Sequence, residues 1–197
     1  MKRFKGETLQ AKVINALKAR IESANNENMK KTLIVELSQF ESKSAIAVLS
    51  ALQGLEYDVE ALSKRIAISD KADSAFIAVY ALQKVRKAIY ALALKSSANL
   101  DRYTFSIVKN LVELQKLDNL NTQRTICSKI ELDELQQAQV VRVYHNCAPS
   151  TASTQASSTR MMLQALAICD VSKGKKGDSI SFADSNISKA MQELFAN

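Results

Sequence analysis

Towards its C-terminal end the chain brings together side chains suited to meeting a polyanion. Ser157, Ser158, Arg160 and Gln164 offer hydroxyls, a guanidinium and an amide, and Lys173, Lys175 and Lys176 follow in the run K-G-K-K-G-D. Hydroxyl, amide and guanidinium groups hydrogen-bond phosphate oxygens or base edges, and lysine ammoniums displace counterions from phosphates. Their spacing suggests how they are carried. A helix from Ala156 to Cys169 puts Met162, Ala165, Leu166 and Cys169 on one face and Ser157, Arg160 and Gln164 on another. Gly174 and Gly177 permit a tight turn between Asp170-Val171-Ser172 and Ser179-Ile180-Ser181-Phe182. The second of these stretches alternates as a half-buried strand does, so a small β-hairpin with lysines at its tip is predicted.

Other chemistry finds little to work with. The chain has one histidine, His145, and no G-x-S-x-G, H-E-x-x-H, C-x-x-C or Gly-rich phosphate loop, so catalysis is not expected. His145 and Cys147 lack the spacing of zinc ligands, and neither a metal nor a cofactor is expected. Three cysteines, Cys127, Cys147 and Cys169, are an odd number at irregular spacing, which favours a reducing compartment over a disulfide framework.

The elements that must position these residues are mostly helical. Only four glycines and one proline occur in 197 residues, too few for the turns of an all-β or α/β fold. Leu9, Val13, Ile14, Leu17 and Ile21 form one stripe of an amphipathic helix over 8–24. Further helices are predicted near 29–40, 44–54 and 59–69, the last with Asp58 as N-cap. One long Ala-rich helix, or two end to end, is predicted from Asp70 to Leu94, with Lys84, Arg86 and Lys87 as a solvated basic patch. Beyond a polar joint at 95–101, helices are predicted at 102–117, 122–130, 132–146 and 185–195. The resulting expectation is an all-α protein with one β-hairpin, divided into an N-terminal helical domain, 1–97, and a C-terminal domain, 98–197.

Residues 132–182 resemble a winged helix-turn-helix domain. Leu132 to Asn146 would be its first helix, Ser150 to Gln155 its second, Ala156 to Cys169 its recognition helix and Val171 to Phe182 its wing. The stretch S-S-T-R-M-M-L-Q-A-L carries the likeness. The resemblance implies that Ser157, Ser158, Arg160 and Gln164 face DNA and that Lys173, Lys175 and Lys176 hold its backbone. Upstream, V-E-A-L-S-K-R-I-A-I-S, Val59 to Ser69, is similar to the second helix and turn of a helix-turn-helix spanning 44–94. There Asp70 and Asp73 fall where DNA contacts would be, so this copy is degenerate and suits a structural or dimerising role.

A net charge of +7 agrees with a polyanionic partner. The expected function is non-catalytic binding of double-stranded DNA, as a transcriptional regulator or a replication or partition factor. A homodimer through the N-terminal helices, offering Leu9, Val13, Leu17 and Ile21 to a second copy, would match symmetric sites. The alternative is a helical protein–protein interaction module, a scaffold, adaptor or inhibitor, without nucleic-acid binding. No run of eighteen apolar residues and no signal-peptide core is present, so a cytoplasmic protein is expected.

Overall fold

The computed structural model describes residues 2–114, 116–117, 149–172 and 179–196. Within them the chain is mostly helical. Five helices come first: α1 (Lys2–Ser23), α2 (Glu27–Phe40), α3 (Lys43–Gly54), α4 (Val59–Ala67) and α5 (Val79–Ala93). A 3₁₀ turn (Ser97–Asn99) leads to α6 (Arg102–Leu114) and the short strand β1 (Lys116–Leu117). Further along the chain come α7 (Pro149–Ala165), β2 (Cys169–Ser172), β3 (Ser179–Phe182) and α8 (Asn186–Glu193).

The apolar stripes close on one another. On α1, Val13 and Leu17 are wholly buried, and the helix packs on α2, α3 and α4. Burial of each such side chain contributes about 1.5–3 kcal/mol. This is the face expected to receive a second copy of the chain. It fills the protein's own core instead, because α3 and α4 present Leu49, Leu52, Leu62 and Ile66 opposite it, all fully buried. Gly6 allows a closer approach still: a Cβ there would overlap Ser50 Oγ and lie 2.9 Å from Ile46 Cγ2. The joint at 95–101 does not divide the interior, since buried residues of α1–α5 and of α6–α8 belong to one cluster in which α5 meets α7.

Caps set several of the boundaries. Asn26 and Asp58 accept the amides of Met29 and Ala61 at the starts of α2 and α4, and Ser185 accepts that of Ser188 at the start of α8. The predicted long helix from Asp70 does not form. The Asp70 and Asp73 carboxylates accept the amides of Ala72 and Ala75, two residues on, and these local bonds hold 71–75 in turns, after which the chain runs without regular structure to the start of α5 at Val79. Three helices end alike. After α3, α5 and α7 the chain passes through a left-handed residue, Glu56 (φ 61°), Lys95 (φ 50°) and Ala167 (φ 52°). The next amide then bonds back to Leu52, Ala91 and Leu163 respectively, closing a Schellman turn without glycine.

The predicted patch of Lys84, Arg86 and Lys87 is mostly not solvated. Lys84 is buried, 2.8 Å from Asp101 and 3.0 Å from the Thr104 hydroxyl, and so ties α5 to the start of α6. Arg86 grips the fully buried Glu36 of α2 through Nε at 2.6 Å and a second nitrogen at 3.4 Å. These cations lie on the inward side of α5 because both neighbouring helices supply a carboxylate where they meet it. Arg20 of α1 is buried too. It donates to the carbonyls of Ile66 and Ile77 and stacks over Phe76, 4.8 Å from the ring centre. Burial pulls its pKa below the ordinary value.

Candidate nucleic-acid interface

The expected recognition helix is longer than predicted. Ser150 to Gln155 and Ala156 onward form a single helix, α7, with no turn between them. Pro149 occupies the first position, where its missing amide is no loss. The Ser and Thr hydroxyls that suggested a break bond inside the helix, Thr154 to the Ser150 carbonyl at 3.0 Å and Ser158 to the Gln155 carbonyl at 3.1 Å. The stretch 132–146, expected as the first helix of the domain, lies outside the described residues, as does 122–130.

One side of α7 is committed to the core. Ala156, Thr159, Met162, Leu163 and Ala165 are buried against α5 and α6, and Thr159 lies 3.3 Å from the Thr104 hydroxyl. Ser158 belongs to this side. It is 7% exposed, so it does not share the surface of Ser157 and Gln164. The opposite side is a polar strip of Ser150, Thr154, Ser157 and Gln164, all exposed, with Arg160 and Met161 half-buried beside it. Arg160 is the one charged residue in α7, which has no carboxylate. Of the four site residues predicted on this helix, the structure therefore groups Ser157 and Gln164, puts Arg160 on their flank and turns Ser158 inward.

The end of α7 is held by donors to its last carbonyls. Tyr57 donates its hydroxyl to the Ala165 carbonyl at 2.6 Å, and Arg65 reaches that of Gln164 at 3.4 Å. Burial pushes the Tyr57 phenol well above its usual range, which keeps it a donor. The Ser185 hydroxyl and the Ala183 amide then bond the carbonyls of Ala167 and Ile168, tying the approach to α8 onto the same corner. An open cleft of about 630 Å³ lies here, lined by Tyr57, Arg65, Gln164, Asp184 and Lys189 among others. Its Lys189 and Asp184 are engaged with each other at 2.7 Å.

From this corner the chain enters the sheet. Cys169, predicted as the end of the helix, is the first residue of β2. Antiparallel pairing runs from Cys169 opposite Phe182 to Ser172 opposite Ser179. β1, predicted as the last turn of a helix, pairs with the other edge of β3, giving the order β1-β3-β2. Its Leu117 stands opposite Ile180, which is fully buried and anchors the sheet. Lys173, Lys175 and Lys176 fall between the paired Ser172 and Ser179, in 173–178, outside the described residues. The Cys169 thiol is buried, and desolvation, with the charge of Asp170 adding to it, pushes its pKa far up, so it is not a thiolate nucleophile.

Sequence reasoning missed a group beside α7: Tyr80, Gln83 and Lys87 of α5, Arg102 and Tyr103 of α6, and Gln155. The signal was present in the spacing of Tyr80, Gln83 and Lys87, which share one helix face. Tyr80, an apolar residue by type, is 68% exposed, and nothing in the spacing alone shows that. Comparison with known proteins adds no guide, for no family model, curated sequence or solved structure matches the chain. No helix among the described residues is long and apolar enough to cross a membrane.

Proposed function

We propose that the protein binds double-stranded DNA without catalysing a reaction on it, and does so through the exposed strip of α7 and the lysines of 173–178. The observation that carries this reading is the junction of two features. A carboxylate-free helix with an outward row of Ser150, Thr154, Ser157 and Gln164 runs through a tightly held corner into a hairpin, and three lysines stand between the hairpin's paired ends. Short hydroxyl and amide side chains suit base edges and phosphates in a major groove wide enough for a helix. Lysines following closely on that helix suit the adjoining backbone. In this reading α7, β2 and β3 act as recognition helix and wing of a winged helix-turn-helix, and the role is that of a transcriptional regulator or a replication or partition factor.

The test is duplex binding across a salt series by the wild type and by a Lys173→Ala, Lys175→Ala, Lys176→Ala variant. Affinity should fall steeply with salt, and the variant should have a shallower slope, by up to about 0.9 for each phosphate no longer neutralised. Absence of wild-type binding to diverse duplexes at low salt would sink the proposal. A second reading, docking to another protein, is favoured by Ile34 and Val35 of α2, each 53% exposed side by side on its outer face. Association through them would survive high salt and would be abolished in Ile34→Ser with Val35→Ser.

A further inference from the structure

A pocket of about 220 Å³ lies where the end of α1, the loop into α2 and the turns after α4 meet. Arg20, Asn25, Met29, Ser69, Lys71 and Phe76 are among its lining residues. Both ionised groups of the lining, Arg20 and Lys71, are cations. The acids nearest to it in sequence, Glu22, Glu27 and Asp70, do not line it. Glu27 is 3.5 Å from Lys30, and Asp70 accepts the Ala72 amide at 2.9 Å.

Arg20 sets this pocket apart from the rest of the interior. The cations that tie α5 to its neighbours each have a carboxylate, Lys84 that of Asp101 and Arg86 that of Glu36. Arg20 is 1% exposed, yet it bonds only the carbonyls of Ile66 and Ile77 and stacks over Phe76. Those bonds use part of the guanidinium's donors and fix its position. Carbonyls are dipoles without net charge, so they leave the cation without a counterion. Burial draws the Arg20 pKa down, and no carboxylate opposes it. A buried charge ordinarily has an opposite charge beside it, and here the space next to it is a pocket.

We propose that this pocket holds a phosphate group, as the free ion or as a small phosphate monoester, which serves as the counterion of Arg20. A guanidinium presents a planar fork of donors that matches phosphate oxygens. Lys71, exposed at the rim, adds a second positive charge, and the Ser69 hydroxyl and Asn25 amide can donate to the remaining oxygens. Met29 and Phe76 give an ester's carbon atoms an apolar wall. The pocket shares no residue with the α7 strip or with 173–178, so the proposal does not depend on DNA binding.

The experiment is the thermal midpoint of the full chain against rising phosphate at constant ionic strength, with inorganic phosphate and glycerol phosphate as probes. Removing Arg20 would unfold much of the sample, so the pocket is altered at its exposed residues instead. Ser69→Asp places a carboxylate in the pocket, and Lys71→Ala removes the rim charge. Phosphate also stabilises proteins by exclusion from their surface, an effect that does not saturate and that every variant keeps. The wild type is expected to show a saturable rise above that baseline. In Ser69→Asp the saturable part should be lost and the midpoint without phosphate raised. In Lys71→Ala the half-saturating concentration should increase by up to about fivefold. The triple Lys173→Ala, Lys175→Ala, Lys176→Ala variant should behave as the wild type. A lower half-saturating concentration for the ester would assign the site to phosphate monoesters, and equal values to the free ion. The same response in wild type, Ser69→Asp and Lys71→Ala would overturn the proposal, as would loss of the saturable rise in the triple lysine variant, which would place the bound phosphate at 173–176.

Discussion

The α1–α5 region and the α7–β3 region make opposite use of polar side chains. In the first, Arg20, Glu36, Lys84 and Arg86 lie inside or at the rim of the core and join one element to the next. In the second, Thr154, Ser157 and Gln164 stand outward from a helix whose other side is apolar. Both regions resemble helix-turn-helix modules in sequence, the first only as a degenerate copy suited to a structural or dimerising role. The contrast teaches that a basic residue is a poor guide to partners until its carboxylates have been located. Arg86 is matched by Glu36, fifty residues earlier in the chain.

The largest test of this contrast is to remove the internal charges. Glu36→Ala leaves Arg86 facing a buried apolar gap and should cost about 3–5 kcal/mol. Arg20→Ala strips the Ile66 and Ile77 carbonyls of their donor, removes the cation stacked on Phe76 and should cost a similar amount, about 3–5 kcal/mol. Ser157→Ala and Gln164→Ala should each stay within about 0.5 kcal/mol of wild type, since the side chains are exposed. Denaturant unfolding measures both sets. Destabilisation in the α7 variants as large as that of Glu36→Ala would erase the contrast, because the polar strip would then be structural.

A smaller effect is expected where α1 and α3 touch. Gly6→Ala forces a methyl against Ser50 and Ile46, and overpacking of this kind costs about 1–3 kcal/mol. A thermal midpoint unchanged by that substitution would mean that α1 can move away from α3, and that the N-terminal region is looser than its buried charges imply.

Acid should act on the same region. Burial alone would raise the Asp101 carboxyl, but the charge and hydrogen bond of Lys84, together with the donors of Thr104, outweigh it and hold the pKa below its ordinary 3.8. A carboxyl depressed in the folded state adds stability at pH above its unfolded value, and the gain disappears as pH falls from that value through the folded one. Between about pH 5 and pH 2 the wild type should therefore lose stability more steeply than Asp101→Asn, by at most one proton's worth of slope. Parallel stability curves for the two would show that Lys84 does not favour the ionised form.

Much of the architecture was legible from apolar spacing. The stripe of Val13 and Leu17, the cap at Asp58, the end of α3 at Gly54 and the strands about 173–178 follow from local rules that need no knowledge of neighbours. What was not legible depended on distant partners or on competing local bonds. Asp70 and Asp73 look like ordinary first-turn acids, and only their bonds to Ala72 and Ala75 reveal that they stop a helix. Lys116 and Leu117 continue a helical pattern, yet β3 offers a pairing edge to them. On the candidate interface, Ser157 and Gln164 could be placed by periodicity, but Ser158 and Tyr80 could not. Their exposure is set by how α7 is rotated against α5, with the Ala78 amide meeting Met161 Sδ at 3.0 Å.

The smallest effects probe a feature that both regions share. Lys95 ends α5 and Ala167 ends α7 with the same pair of back-bonds, and each holds a left-handed φ that an L-residue adopts at a cost. Glycine bears no such cost, though it orders a freer unfolded chain, and the balance favours it where φ is positive. Lys95→Gly and Ala167→Gly should each raise stability by about 0.5–1 kcal/mol. Glu56→Gly should gain less, because the Glu56 carboxylate accepts the Asn186 amide at 2.7 Å and that bond would go. If the α7 corner exists only to end a helix, Ala167→Gly will be stabilising and silent in DNA binding. If the corner sets the angle between α7 and the hairpin, the same substitution will stabilise the fold yet weaken duplex binding, while Lys95→Gly leaves binding unchanged. Measuring stability and affinity on both variants separates a rigid junction that positions the two elements proposed to contact DNA from a turn that happens to lie between them.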